Sequence, residues 1–127
     1  MLFRSNYDVV DENGAFIGGA IAPGIEVAAH NLIEKAALLK ETAFIVPEFA
    51  VGKTTESNLQ SGIMLGAIDL VDGMFTRMVD EMRWKKCNMI VTGGFGGLIS
   101  PHLKTKHTLL PNLTLDGIRI IYGNRLN

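Results

Sequence analysis

The run Gly18-Gly19-Ala20-Ile21-Ala22-Pro23-Gly24 constrains the fold more than any other stretch, because it joins two segments of opposite periodicity. Before it, Tyr7-Asp8-Val9-Val10 and Ala15-Phe16-Ile17 flank Asp11-Glu12-Asn13-Gly14, and Asn-Gly between apolar segments is the strongest short hairpin signal. After it, Val27, Ala28, Leu32, Ile33, Ala36 and Leu39 recur near helical spacing from Ile25 to Leu39, with Pro23-Gly24 marking the start. Paired glycines let main chain approach another group without a β-carbon in the way. Two readings stay open: an ordinary tight connection, or a helix N-terminus set to receive an anion or polar ligand.

Further along, Thr42 to Phe49 reads as a short strand-like or irregular connection carrying Pro47. The longest element follows. Leu59, Ile63, Ala67, Leu70, Val71, Met74, Met78 and Met82 form a helical stripe, and about 25 residues would make a rod of roughly 38 Å. The methionines read as core or subunit interface. Gly62 and Gly66 leave a groove on one face, and each costs about 1 kcal/mol of helix stability against alanine, so close approach by a helix or ligand is the expected compensation. Asn88 to Val91 reads as a buried strand stopped by Thr92-Gly93-Gly94, and Leu98 to Leu103 as a helical turn broken at Pro101. Leu113 to Tyr122 admits helix or strand.

Composition narrows the function classes. One chain of 127 residues, 47% hydrophobic, suits a single domain with one core. Twelve basic against 13 acidic residues give a net charge of -1, which supplies no electrostatic footprint for nucleic acid or an anionic membrane. Lys85-Lys86 and the lysines at 104 and 106 read as solvated. No apolar run approaches the ~20 residues of a membrane span, and the N-terminus lacks signal-peptide order. A cytoplasmic protein is expected. The single Cys87 fits that compartment and reads as a small buried hydrophobe.

Two familiar motifs fail on inspection. Gly52-Lys53-Thr54 ends like a phosphate-binding P-loop, but the required first glycine falls on Pro47. Gly94-Phe95-Gly96 begins a dinucleotide fingerprint whose last small residue falls on Ile99. His30, His102 and His107 have no carboxylate or thiol partners at metal spacing, so structural or surface roles are expected. No nucleophile elbow is present.

What survives is an ordered series: Tyr7-Asp8-Val9-Val10, Gly18 to Gly24, Gly52-Lys53-Thr54-Thr55-Glu56-Ser57 with Gln60-Ser61-Gly62, Thr92-Gly93-Gly94, and Leu113-Thr114-Leu115-Asp116-Gly117 through Asn124. The series resembles the C-terminal domain of type III pantothenate kinases, members of the actin-like sugar kinase and Hsp70 ATPase superfamily. The resemblance implies an α/β fold: a single actin-like, ribonuclease H-like domain with an N-terminal hairpin and a mixed sheet packed by helices, one of them long. It implies ATP-dependent phosphorylation of pantothenate to 4'-phosphopantothenate, the first step of coenzyme A synthesis, in a cytoplasmic homodimer. ATP is the co-substrate, with a monovalent cation (potassium or ammonium) and a divalent cation as cofactors.

Residue by residue, Thr55 matches the family threonine that hydrogen-bonds pantothenate; the alternative is an N-cap for the long helix, shared with Glu56 or Ser57. Position 54, commonly asparagine in the motif, is Thr54 here. Gly93 and Gly94 would place backbone near the adenosine of ATP, or simply end a strand. The family's catalytic aspartate and first phosphate-binding loop lie in its N-terminal domain, for which this chain offers no match. The cation-binding aspartate and the ATP-binding threonine align with Met1 and Phe3, and a small alanine with Arg4, so none of these roles carries over. Residues 1–6 accordingly read as a non-native start, residues 7–127 as the C-terminal domain, and the chain as inactive alone. An alternative from another class is a non-catalytic regulatory relative similar to Bvg accessory factors.

Overall fold

The computed structural model describes residues 4–35 and 42–125. Strands β1 (Arg4–Val10) and β2 (Phe16–Pro23) form the expected antiparallel hairpin. The Asp11 carboxylate accepts from the N–H groups of Asn13 (2.9 Å) and Ala15 (2.8 Å), closing the turn. Those bonds, the Ala15 one foremost, hold the Asp11 carboxyl below its usual range. β1 runs through the boundary set at Asn6: Arg4, Ser5 and Asn6 pair with Pro23, Ala22 and Ile21. Backbone pairing of this kind accepts any residue type.

Gly18 to Pro23 lie inside β2, and Pro23-Gly24 ends the strand just before the helix, as expected. The run's close approach is to the hairpin's own partner strand, since a β-carbon on Gly19 would collide with the Tyr7 carbonyl. Gly24 then accepts from the Ala28 N–H at 2.9 Å and opens α1 (Ile25–Lys35). The buried residues of α1 are Ile25 and Ala29, whereas the expected face carried Ala28 and Leu32, which are exposed. Ala36 and Leu39 lie outside the described residues.

After the irregular segment from Thr42, residues 55–82 are helical throughout, as α2 (Thr55–Gln60), a wide i→i+5 turn (Ser61–Leu65) and α3 (Gly66–Met82). The buried residues are Leu59, Met64 and Ile68. An α-helix repeats every ~3.6 residues, so positions four apart share a face and positions five apart do not. The wide turn absorbs one extra residue and brings Met64, rather than Ile63, beneath Leu59. Met64 is 1% exposed and joins Ile25, Ile68 and Ile99 in the core, with Phe44, Phe95 and Leu103 packed around them. Gly62 and Gly66 face outward, and a β-carbon on either would meet nothing within 4 Å. Among the described residues, nothing closes on their groove.

Arg83, at φ 54°, ends α3. Cys87 follows in the connector and is exposed, not buried as expected, because the connector from Lys85 to Asn88 runs over the surface. β3 (Met89–Val91) buries only Val91, while Ile90 is 51% exposed; the expected fully buried strand has one open face. β3 pairs in parallel with β4 (His107–Leu109). The described residues therefore hold two separate strand pairs and not one mixed sheet; α1 and α3 pack against β1, so the hairpin does not extend the parallel pair. Between β3 and β4, α4 (Gly96–Ile99) continues into a tighter turn, Ser100–His102, with Pro101 in its first turn where a missing N–H is tolerated. Leu113 to Tyr122 proves helical, within α5 (Leu113–Arg125).

A polar clamp ties the halves of this layout together. The Asp72 carboxylate on α3 accepts from the backbone N–H groups of Lys104 (2.9 Å) and Thr105 (3.0 Å). The Thr105 carbonyl in turn accepts from His107 Nδ1 at 2.7 Å, and His107 Nε2 lies 2.6 Å from Ser100 Oγ. A carbonyl only accepts, so Nδ1 carries the proton, and in the neutral ring Nε2 accepts from the serine. His107 is thus structural, as expected; His30 lies exposed, 3.8 Å from Glu34.

Met64→Ala should lower stability by about 2–5 kcal/mol through the cavity it leaves, against about 0.5 kcal/mol or less for Met82→Ala at the exposed helix end, in urea titrations followed by circular dichroism. Asp72 supplies a pH test. Partial desolvation raises its carboxyl, but the Lys104 and Thr105 hydrogen bonds and the Lys104 charge outweigh it and hold it below the ordinary 3.8. A lowered folded value means stability that is present above 3.8 and lost as pH falls through the folded value. Wild type should exceed Asp72→Asn in stability near neutrality, and the gap should close under acid.

Candidate functional site

The loop before the long helix is built almost entirely by its own motif residues. Ser57 Oγ accepts from the N–H groups of Lys53 and Thr54, each at 2.9 Å, while the Ser57 N–H donates to Thr54 Oγ1 at 3.1 Å. This is a reciprocal capping box with Thr54 as N-cap. Gly52 lets the loop fold onto the helix start, since a β-carbon there would lie 2.6 Å from the Asn58 nitrogen. Ser61 Oγ donates to the Ala50 carbonyl at 2.5 Å and pins the loop to the wide turn. Gly52, Thr54, Ser57 and Ser61 therefore have structural employment.

Thr55 does not share it. The capping alternative belongs to Thr54, and Thr55 stands exposed at the first helical position with its hydroxyl outside the box. Asparagine, common at position 54 in the resembling family, is also a favoured N-cap, so Thr54 preserves the local geometry despite the substitution.

Gly93 and Gly94 form the exposed turn between β3 and α4. Gly93 sits at φ 95°, and its carbonyl accepts from the Gly96 N–H at 3.1 Å. A β-carbon on Gly93 would meet nothing within 4 Å; the residue is needed for its backbone angle, and its main chain faces open space. Phe95 anchors the turn edge-on against Phe44, ring centres 5.3 Å apart. Gly96 is seated between Val91 and Leu109.

Thr55 and the glycine turn stand on separate elements, and neither lines the open groove beside the start of α3. That open groove, about 600 Å³, runs between Val46, Pro47, Glu48, Leu65, Ile68, Asp69, His102 and Lys104. Its mixed charges carried no motif signal, so sequence reasoning passed over it. Tyr7, in the hairpin, has a buried hydroxyl with no hydrogen-bond partner among the described residues, and burial pushes its pKa up.

For the cations implied by the resemblance, the described residues offer no cluster of three or more acidic, histidine or cysteine side chains. Met1 and Phe3 lie outside the described residues and carry neither carboxylate nor hydroxyl. No helix among them is long and apolar enough to cross a membrane.

Comparison with known proteins gives this layout its context. Residues 5–77 match the family model of type III pantothenate kinase. Type III pantothenate kinases from Moorella thermoacetica and Roseiflexus sp. are 42% and 40% identical over 118 residues, covering 93% of this chain and 46% of each relative. The enzyme from Desulfosudis oleivorans is 42% identical, with 92% and 46% covered. The chain thus spans about half the length of the curated relatives it matches. With the family model covering more than half of the chain, it belongs to the type III pantothenate kinase family.

Proposed function

We propose that this chain supplies the pantothenate- and adenosine-facing part of an ATP-dependent pantothenate kinase in the first step of coenzyme A synthesis. The observation that carries the reading is the division of labour between Thr54 and Thr55. One hydroxyl caps the helix, and its neighbour is left exposed on a rigid first turn. A hydroxyl so placed can donate to or accept from the polar groups of pantothenate. The exposed Gly93-Gly94 backbone would lie near the adenosine of ATP.

Phosphoryl transfer requires neutralised phosphate charge and an oriented acceptor hydroxyl. Thr55 and the Gly93-Gly94 turn would orient; neither carries a charge. Met1 and Phe3 stand where the resemblance places a carboxylate and a hydroxyl, and the matching relatives are about twice as long. On this reading the chain by itself does not turn over. The open Gly62 and Gly66 face of the long helix suits self-association in a cytoplasmic homodimer.

A coupled ADP-release assay with pantothenate and ATP should show no turnover by this chain alone; clear turnover would sink that part of the reading. Titration of pantothenate followed by amide chemical shifts should perturb residues around Thr55. Thr55→Ala should weaken that binding by about tenfold, the loss of one hydrogen bond, with stability unchanged. Thr54→Ala should instead cost about 1 kcal/mol of stability. Shift changes scattered away from residue 55 would remove Thr55 from the site.

A further inference from the structure

The segment that leads into the long helix has no apolar anchor. Every residue from Glu48 to Thr54 is at least partly exposed, and Phe49 and Val51 are 69% and 81% exposed. Polar links to the helix hold the segment instead, and they fall in order. Ser57 Oγ accepts from the Lys53 and Thr54 N–H groups, Gly52 lies against Asn58, and Ser61 Oγ donates to the Ala50 carbonyl. The segment therefore doubles back along the helix start. Ser57 and Ser61, four positions apart in sequence, share one face, while buried Leu59 between them points about 200° away. The loop lies on the side that the core does not reach.

The attachment at Ser61 spans 11 residues and fixes the end of the segment farthest from the cap. The first turn of a helix lacks internal partners for its N–H groups, so a segment free at that end leaves the cap open to fraying. Fraying loosens the first helical residue, Thr55, and a ligand contact must then order it again, at a cost in affinity. Ser61 lies six positions beyond Thr55, about 9 Å along the helix axis. Its hydroxyl proton is already committed to Ala50, so its effect at Thr55 passes through the loop. We propose that Ser61 is a positioning residue for the pantothenate contact at Thr55, on which this role rests: the latch on Ala50 sets the affinity without touching the ligand.

Amide exchange and pantothenate titration of the full 127-residue chain read the two steps separately. In Ser61→Ala, the Lys53 and Thr54 amides should exchange about tenfold faster and pantothenate should bind about tenfold more weakly, the cost of ordering roughly one residue. The far-ultraviolet circular dichroism and the urea midpoint should stay near wild type, because alanine favours the helix and the lost bond lies at the surface. Ser61→Thr keeps the hydroxyl, and affinity should recover in step with the protection it returns to those amides. A Ser61→Ala chain with faster amides but wild-type affinity, one whose amides are unchanged, or a Ser61→Thr chain with protected amides and weak binding would each overturn the proposal. Wild-type titration shifts that bypass residue 55 would remove the contact itself and the positioning role with it, an outcome kept distinct by the amide exchange, which is measured without pantothenate.

Discussion

The wide turn at Ser61–Leu65 sets the register of everything packed against the long helix. With an uninterrupted α-helix, Leu59 and Met64 would point in different directions, and the core that Met64 and Ile68 share with Ile25 and Ile99 would have no continuous floor. The same turn begins at Ser61, whose hydroxyl holds the Ala50 carbonyl. One residue thus links the loop that precedes the helix to the place where its face shifts. Such turns cost regular hydrogen bonding and recur near functional sites, and here the loop held by Ser61 carries Thr55 at its end.

The hairpin was legible because its signal is local: Asn13-Gly14 dictates a turn, and alternation does the rest. The long helix was legible as an element but not in its face, because periodicity presumes constant pitch and an inserted residue leaves no compositional trace. Strands of three residues, β3 and β4, carry too little pattern to reveal how they pair, so the mixed sheet was an inference from resemblance alone. Cys87 failed for a related reason. Residue type gives an average burial, while the path of the connector after Arg83 decides the individual case. In α5, β-branched residues argued for a strand, and helical context prevailed.

The candidate site was partly legible. The motif from Gly52 to Gly62 combines two demands that a sequence does not separate: Gly52, Thr54, Ser57 and Ser61 build the loop, and only what remains can serve a ligand. Adjacent threonines look alike in sequence. Their roles divide only when the cap's hydrogen bonds are assigned, and those follow from the backbone angles of Thr54, φ -132° and ψ 162°, which a helical residue cannot share. The glycine turn was legible as a turn, since Gly93 needs a positive φ that other residues adopt with strain.

The two candidate contacts are also mechanically related. Thr55 begins the helical rod that later carries Asp72, and Asp72 grips the turn at Lys104 and Thr105. From Thr105 the hydrogen bonds pass through His107 to Ser100, at the end of the short helix that Gly93 and Gly94 introduce. Each link is a polar contact of 2.6–3.0 Å, and the Phe44–Phe95 pair braces the far side. A hydroxyl and a glycine turn far apart in sequence are therefore referred to one rigid element. On the proposed reading, in which Thr55 and the glycine turn face ligands, the separation between them is carried by the long helix rather than by either loop.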